Sequence, residues 1–387
     1  MSVLNVPQPE FMEDEEISIF ADAVGKFYQQ HAPEKRVLQW RENGQVERGF
    51  WNEAGEAGLL GVSVPEEYGG HGGDFRHDMV VIDQQAKHGV EGFAASLHNT
   101  VILPYLVRHG TEEQKKKYLP KLVTGELVSA IAMTEPGVGS DLQSITTTAL
   151  KDGNGYKING AKTYISNGQT ADFIIVVAKT DPDERAKGIS LMLLETEGAE
   201  GFQRGKKLDK IGLDAADTSE LFFDDVFVPA ENVLGGVEGK GFYQLMGELP
   251  QERLIIAMGA MTGIEKALET TMDFVKNRKA FGQTIWDFQN TQFVMADLKA
   301  RATAARVFVN DCIAKHLKKE LSVDTACMAK YWVTELQGEV VDKCLQFHGG
   351  AGFINDYPIA RMYRDSRITR IFGGSNEVMK MVIARGM

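Results

Sequence analysis

The sequence has few cysteines, no excess of positive charge and no apolar run of membrane-spanning length. Three cysteines are scattered among 387 residues without a CxxC spacing, which argues against a disulfide framework and against a metal site. The formal net charge of −12 argues against nucleic-acid binding, because that function needs a basic face. Without an apolar segment long enough to span a bilayer, no integral membrane contact is expected.

The N-terminal segment also lacks the features of a targeting signal. Residues 1–16 are acidic, unlike a secretory signal or a transit peptide. We therefore expect a bacterial cytosolic location, or the mitochondrial matrix if the chain is a mature eukaryotic form. A hydrophobic content of 43% and a charged content of 25% are typical of a soluble protein, and the length suffices for two or three domains.

The residue pattern changes twice along the chain and predicts three domains. Helical periodicity dominates residues 1–127, and a period of two with frequent Gly, Asn and Pro turns dominates residues 128–237. Residues 238–387 return to long helical segments such as 289–317. The sequence therefore predicts an α+β multidomain protein with an N-terminal helical domain, a middle β domain and a C-terminal helical domain. Helices and strands do not alternate, so a Rossmann fold is not expected. The Gly-rich run at 69–73 lacks a convincing helix start and is interpreted as a surface turn.

Three segments rich in glycine or polar residues are candidate ligand contacts. At 131–141, glycines allow backbone amides to approach a ligand, and Thr134 and Ser140 add hydroxyl donors, although such a loop is most often a plain turn. Residues 277–283 suit a helix end, but Arg278 also suits a diphosphate, to which guanidinium donates bidentately. Residues 346–353 could form only a helix cap and turn, with His348 as a packing residue.

A fourth segment, residues 247–254, contains Glu252 next to Arg253. Such a pair early in a helix is ordinarily solvated and contributes little stability. Pro250 is expected to open or kink the helix, so that Glu252 projects from a fixed first turn.

Together these segments resemble the acyl-CoA dehydrogenase family, flavoenzymes that desaturate acyl-CoA thioesters. The resemblance extends from Val64 to Arg385. Most members have their catalytic Glu at the position that matches Gly373. The branch of long-chain and isovaleryl-CoA dehydrogenases instead has Gly there and Glu at the position of Glu252. This sequence has both halves of that exchange and is most similar to that branch, which implies a relocated base.

The family resemblance implies a fold, a cofactor and an assembly. The fold would be an N-terminal helical domain, a middle β-barrel-like domain and a C-terminal four-helix bundle, assembled as a homotetramer that is a dimer of dimers. The implied cofactor is FAD, and no metal is implied. The positions that match FAD contacts are Ile131, Met133, Thr134, Gly139, Ser140, Tyr164, Ile165, Ser166, Arg278, Phe281, Gln289, Gln346, Gly349, Gly350, Ser375 and Glu377. Among them, Arg278, Phe281 and Gln289 would reach the FAD of a neighbouring subunit.

The resemblance also implies the reaction. Glu252 would take the α proton of the thioester while the β hydride passes to FAD, giving a trans-2-enoyl-CoA. Gly373 would keep a role through its backbone amide, which donates to the thioester oxygen. Burial beside the acyl chain is expected to raise the pKa of Glu252. The positions that match acyl-CoA contacts are Ser140, Tyr243, Pro250, Arg253, Gly373 and Gly374. Pro250 replaces an Asp of other members, so one polar contact to CoA is expected to be lost.

Several functional alternatives stay open at the level of sequence. Electron-transfer flavoprotein is the implied acceptor. A flavin oxidase or monooxygenase on the same fold would react with oxygen instead, and a catalytically inactive FAD-binding scaffold protein would do neither. The acyl group could be a long straight chain, a short branched chain or a terpenoid-type chain.

Overall fold

The chain divides into two compact units in a computed structural model, which describes residues 3–387. The larger unit comprises Ile19–Lys210 and Asp214–Leu249. The smaller unit comprises the residues up to Ser18, Ile211–Leu213 and Pro250–Met387. Among the described residues, no helix is both long enough and apolar enough to cross a membrane.

Helices fill the first part of the chain. A π-helical turn at Leu97–Ile102 leads into α5, and Thr111 begins α6 with a capping box: Gln114 N donates to Thr111 Oγ1 (3.3 Å) and Thr111 N donates to Gln114 Oε1 (3.0 Å). The helices are α1 (Glu15–His31), α2 (Glu34–Asn43), α3 (Arg48–Glu56), α4 (Phe75–Lys87), α5 (Leu103–His109) and α6 (Glu112–Val123).

Helix α4 follows the Gly-rich run, where the sequence interpretation saw no helix start. The glycines do form a turn, with φ of +82° at Gly69 and +66° at Gly72. Asp74 then caps α4, because Arg76 N donates to Asp74 Oδ1 (2.8 Å) and Asp74 N donates to His77 Nδ1 (3.1 Å). The expectation of no helix was wrong because a histidine, rather than the usual Glu or Gln, completes this capping box.

The middle of the chain is a curled seven-stranded sheet, which confirms the predicted β region. The strand order is β1-β4-β2-β3-β7-β6, with β5 paired to β4. Pairs β1–β4 and β2–β4 are parallel and the others are antiparallel. Two register shifts bend β3 against β7. The strands are β1 (Ser129–Ala132), β2 (Thr148–Asp152), β3 (Gly155–Ser166), β4 (Phe173–Lys179), β5 (Ile189–Glu195), β6 (Phe202–Lys207) and β7 (Thr218–Pro229).

The central strand β4 is buried on both faces. Phe173, Ile175 and Val177 belong to a core cluster shared with α5 and α6, whereas Ile174 and Val176 belong to a second cluster shared with other strands. Successive side chains of a strand point to opposite faces, so an unbroken apolar run is what a strand covered on both sides requires. One face of β4 thus packs against α5 and α6, and its other face packs against other strands of the curled sheet.

The last part of the chain is a bundle of long helices, as predicted. Ion pairs join neighbouring helices: Arg306 Nε lies 2.6 Å from Glu265 Oε1 between α8 and α7, and Arg301 pairs with Glu339 between α8 and α9. The elements are α7 (Gly241–Asn277), a hairpin of β8 (Lys279–Ala280) and β9 (Gln283–Thr284), α8 (Gln289–Leu317), α9 (Val323–His348), α10 (Pro358–Ser366) and α11 (Asn376–Arg385).

Pro250 lies inside α7 and does not open it. The helix begins at Gly241 and continues to Asn277, so Glu252 lies about three turns into the helix and not in its first turn. The expectation of a fixed first turn was therefore wrong. Proline removes one backbone hydrogen bond, but here apolar residues on both sides, such as Leu245 and Leu254, are buried and outweigh that loss.

Candidate active site

Glu252 is a buried carboxylate in the helical bundle. Its exposed fraction is 8%, and its neighbours Gln251 and Arg253 are each 5% exposed. Burial of charged side chains is uncommon and costs free energy, so this is not the solvated surface pair that the sequence pattern alone suggests. The helix α7 therefore holds Glu252 in a position where water is scarce, as a base that acts on a carbon acid requires.

The turn at Gly373 adjoins the face of α7 that carries Glu252. Gly373 has φ of +63°, and a Cβ atom built there would lie 2.3 Å from Ile256 Cδ1. Ile256 follows Glu252 by one helical turn, so the two side chains share one face of α7. The space that a side chain at position 373 would enter is therefore occupied by the isoleucine next to Glu252.

The amide of Gly373 is available to a ligand. On either side of Gly373, backbone N–H groups are paired within the chain: Phe372 N donates to Ile368 O (3.1 Å) and Met379 N donates to Ser375 O (3.0 Å). Among the residues that the structure describes, no acceptor pairs with the N–H of Gly373. Gly373 as a residue is half-buried, and an N–H without a protein partner can bind a carbonyl oxygen.

Lys330 holds the neighbouring carbonyl, and the sequence interpretation missed it. This lysine of α9 is fully buried, and its Nζ donates to Gly374 O (2.8 Å) and to Asn376 Oδ1 (2.9 Å). Burial lowers its pKa to about 8. One signal was available: the lysine stands on the otherwise apolar stripe of α9, between Ala326 and Val333.

The residues after the turn begin a helix. Val378 N donates to Ser375 Oγ (3.4 Å), so Ser375 caps α11. Hydrogen bonds at the helix start lower the pKa of the exposed Glu377. Arg253 lies in the interior, where Nη1 donates to Cys327 Sγ (3.2 Å) and Nε finds no hydrogen-bond partner within residues 3–387. The predicted contacts of these residues with FAD or acyl-CoA stay predictions.

One residue of a second predicted group, Arg278, lines an open cavity of about 420 Å³ in the bundle. Phe281, at the tip of the β8–β9 hairpin, is 96% exposed. Gln289 is the exposed first residue of α8, and Gln346, Gly349 and Gly350 are exposed around the end of α9. The cavity is lined by Thr270, Asp273, Phe274, Asn277, Arg278, His348, Tyr357 and Pro358.

His348 is a packing residue, as expected. Its ring stacks on Phe274 at a centroid distance of 4.2 Å, and Nδ1 lies 2.9 Å from Cys344 O. Burial lowers its pKa, so the neutral imidazole donates to this carbonyl.

In the larger unit, two hydrogen bonds join Thr134 of the predicted ligand loop to Thr163 of β3. Thr134 Oγ1 donates to Thr163 O, and Thr163 N donates to Thr134 O (2.9 Å). Beyond this tie, Gly139 and Ser140 are exposed, while Ile131 and Met133 are half-buried. The loop therefore presents exposed backbone and hydroxyl groups from a fixed base.

A buried ion pair that the sequence interpretation did not identify anchors the same loop. Lys162 Nζ lies 2.9 Å from Glu135 Oε1 and also donates to Met133 O (2.9 Å). The Glu135 carboxylate accepts further hydrogen bonds from Thr146 N (2.7 Å) and Thr147 N (2.9 Å). Burial alone would raise the pKa of Glu135, but Lys162 and these hydrogen bonds outweigh it and lower the pKa to about 2.

Tyr164, Ile165 and Ser166 end β3 at a register shift. Tyr164 has φ of +61° and is 69% exposed, and Ser166 is exposed as well. Ile165 is only 2% exposed and belongs to the second core cluster, so its side chain faces the interior. Only the backbone of Ile165 could therefore make the predicted contact with FAD. Tyr243, in the first turn of α7, is 53% exposed.

Comparison with known proteins covers nearly the whole chain. Family models described as acyl-CoA dehydrogenase N-terminal, middle and C-terminal domains match residues 14–126, 130–226 and 239–387. The mitochondrial long-chain specific acyl-CoA dehydrogenase of Sus scrofa is 47% identical over 372 residues, which cover 96% of this chain and 86% of that protein.

Two further comparisons agree with these matches. The mitochondrial isovaleryl-CoA dehydrogenase of Pongo abelii is 39% identical over 367 residues, which cover 94% of this chain and 86% of that protein. A crystal structure of an acyl-CoA dehydrogenase from Geobacillus kaustophilus superposes with a TM-score of 0.94 at 46% identity, over 96% of this chain and 98% of that chain.

Proposed function

This chain belongs to the acyl-CoA dehydrogenase family, and from that membership we propose that it desaturates an acyl-CoA thioester with Glu252 as the base. One observation carries the assignment of the base. Glu252 is buried on the face of α7 that adjoins the turn at Gly373, and Ile256 of the same face fills the space where a side chain at 373 would begin. Position 373 is where most members have their catalytic Glu.

The chemistry follows from the acidity of the substrate. The α C–H of a thioester is a weak acid, and its ionisation places negative charge on the carbonyl oxygen. The N–H of Gly373, which has no acceptor among the described residues, donates to that oxygen and stabilises the charge as it develops. The Glu252 carboxylate takes the α proton. FAD, when bound, accepts the hydride from the β carbon, so that the product is a trans-2-enoyl-CoA.

The described residues are compatible with FAD, the cofactor of this family of flavoproteins. A diphosphate needs a fixed positive charge, and Arg278 supplies one at the edge of the cavity. An isoalloxazine ring needs hydrogen-bond donors and an aromatic neighbour, and the loop at Gly139 and Ser140 and the exposed ring of Tyr164 offer both kinds of group. We assign the ring of FAD to the loop and Tyr164, and we assign Arg278 to the diphosphate of the FAD held by a neighbouring subunit.

Replacement of Arg278 by Met should weaken FAD binding about 10- to 100-fold, because a charge-assisted hydrogen bond contributes roughly 1.5–3 kcal/mol. The measurement is a fluorescence titration of apoprotein with FAD. Lys276→Met is the matched control, since Lys276 is exposed on the same helix end but does not line this cavity. FAD affinity that is equal in both variants would contradict the assignment of Arg278.

A long acyl chain is the substrate class that we favour. The chain is more similar to the long-chain enzyme than to the isovaleryl enzyme, at 47% against 39% identity. A long chain needs an apolar wall. In the larger unit, partly buried apolar side chains pack against the first core cluster and offer such a wall: Leu97, Val101, Ile131, Met133, Val138, Phe242 and Met246. Flavin bleaching by acyl-CoAs of graded length and branching tests this assignment.

The partners and location remain part of the proposal. We assign electron-transfer flavoprotein as the acceptor, a homotetramer as the assembly, and the bacterial cytosol, or the mitochondrial matrix in a eukaryote, as the location. If the enzyme is instead an oxidase, its substrate-reduced flavin will reoxidise in air within one turnover. Slow reoxidation in air and fast reoxidation by electron-transfer flavoprotein are expected.

The contact between Ile256 and position 373 predicts what is needed to move the catalytic base from position 252 to position 373. In a Glu252→Gln background, Gly373→Glu should restore little activity, because its φ of +63° is strained for any residue but glycine and its Cβ would also displace the tip of Ile256, whose Cδ1 lies 2.3 Å away. Adding Ile256→Val removes only that Cδ1 atom. The triple variant should bleach with acyl-CoA about 10-fold faster than the double variant, since relief of overpacking is typically 1–3 kcal/mol. Equal rates would show that Ile256 does not exclude a side chain at position 373.

A further inference from the structure

We propose that Lys330 is a positioning residue for proton abstraction: by holding Gly374 O it fixes the turn whose Gly373 amide receives the thioester oxygen. The inference rests on the proposed function and adds a residue to it. Lys330 Nζ donates to Gly374 O at 2.8 Å, and among the described residues it is the one donor to that carbonyl.

The turn needs an external tether because it consists of two consecutive glycines. Gly373 and Gly374 have φ of +63° and +90°, in a region that glycine enters at little cost but from which it also leaves easily. Fixing the backbone of one residue costs roughly 1–2 kcal/mol of conformational entropy. A hydrogen bond from a buried ammonium to Gly374 O offsets that cost and restricts the backbone of the turn, which also carries the Gly373 N–H two peptide units earlier.

A role limited to helix stability does not explain this lysine. Its second acceptor, Asn376, is already held by Thr334 Oγ1 (3.1 Å) and Glu335 Oε1 (2.7 Å). Burial of an ammonium whose hydrogen-bond acceptors are neutral is expensive. Glu377 and Glu335 act on its charge through space and are not those acceptors. Asn376 could thus anchor α11 without Lys330, whereas Gly374 O would lose its donor.

The charge of Lys330 also suits the reaction. Cys327, which accepts from Arg253 Nη1, precedes Lys330 by about one turn of α9, so two buried cations lie near each other. Their repulsion contributes to the lowered pKa of Lys330, after the larger effect of burial. Positive charge next to an amide that receives a developing oxyanion stabilises that oxyanion further.

The test compares three variants of the FAD-loaded enzyme. Lys330→Met removes the donor, Lys330→Gln retains a neutral N–H donor, and Thr334→Val is the matched control, which loses a hydrogen bond to Asn376 but none to Gly374. We expect kcat to fall about 10- to 100-fold in Lys330→Met with KM changed less than about threefold, because removal of a whole oxyanion donor costs 10²–10³. Lys330→Gln should be intermediate, and Thr334→Val should stay within about twofold although its melting temperature falls.

A spectroscopic readout separates positioning from stability. The infrared stretch of a ¹³C-labelled thioester carbonyl in bound 2-enoyl-CoA reports the hydrogen bonds to its oxygen. We expect the same stretch in wild type and Thr334→Val, and a shift towards the value of the free thioester in Lys330→Met. If Lys330→Met does not fold, Lys330→Gln provides both readouts.

The outcomes distinguish this inference from the function on which it rests. A wild-type enzyme that no acyl-CoA bleaches would overturn the proposed function and this inference with it. A wild type that is bleached, with Lys330 variants of equal kcat and unchanged carbonyl stretch, would overturn the role of Lys330 alone.

Discussion

Glu252→Gln is expected to slow anaerobic bleaching of the flavin by acyl-CoA about 10³- to 10⁴-fold, near the upper range for loss of a general base. The amide has the size of the carboxylate but cannot take a proton from carbon. The affinity for acyl-CoA should change little, because the backbone N–H of Gly373 is unaffected. Stopped-flow absorbance of the oxidised flavin measures the rate, and its dependence on substrate concentration gives the affinity.

Glu248→Gln provides a matched control for this variant. Glu248 lies on the same helix one turn earlier, is 3% exposed, and pairs with Arg108 and with His109 Nε2 at 2.9 Å. Its replacement should lower stability but leave the rate of bleaching within a few-fold of wild type. Equal losses in both variants would mean that the effect at Glu252 is a general disturbance of α7.

Lys162→Met is expected to lower the free energy of unfolding of the larger unit by about 3–5 kcal/mol, the usual result of breaking one side of a buried ion pair. Met fills much of the same volume, but the Glu135 carboxylate loses its countercharge and Met133 O loses its donor. FAD should also bind more weakly, because the loop that carries Thr134 and Ser140 loses its anchor. Urea unfolding followed by circular dichroism, together with FAD titration, measures both effects.

An exposed lysine of the same strand gives the comparison. Lys157 is 40% exposed and lies 3.7 Å from Asp152 and from Asp225, so Lys157→Met should change stability by less than about 0.5 kcal/mol. If Lys162→Met were as mild as Lys157→Met, the pair would not anchor the loop.

The same carboxylate predicts a dependence on acid. In the folded protein the pKa of Glu135 is lowered from 4.5 to about 2, so the unfolded chain binds the proton more readily. The stabilisation is complete above pH of about 4.5 and is lost as pH falls towards about 2. Glu135→Gln should therefore flatten the decline of stability in this window. An unchanged decline would assign acid sensitivity to other carboxylates.

Motifs with a fixed spacing were predictable from the sequence, and contacts between distant segments were not. The relocation of the catalytic Glu from position 373 to position 252 could be recognised, because Gly373 and Glu252 each lie in a segment with a recognisable sequence pattern. The part played by Ile256 could not, because the contact joins a helix and a turn more than a hundred residues apart. The period-two and helical patterns predicted the β region and the long helices correctly, since burial on one face directly dictates each pattern.

Buried lysines were the main gap in the sequence interpretation. Lysine is almost always exposed, so nothing in the sequence singled out Lys162, and only its place on the buried stripe of α9 pointed to Lys330. The structure places both lysines at 0% exposure. Local rules also failed where tertiary packing or an unusual cap prevailed, as at Pro250 within α7 and at His77 in the cap of α4.

The role of Glu252 as the base is measured most directly by the exchange of the substrate α hydrogens with solvent deuterium, catalysed by the oxidised enzyme. An acyl-CoA analogue with sulfur in place of the β carbon cannot lose a hydride, so α exchange followed by nuclear magnetic resonance reports the base alone. Wild type and Glu248→Gln should exchange these hydrogens. Glu252→Gln should exchange them at least about 10³-fold more slowly than wild type. Exchange by Glu252→Gln at the wild-type rate would contradict the assignment of Glu252 as the base.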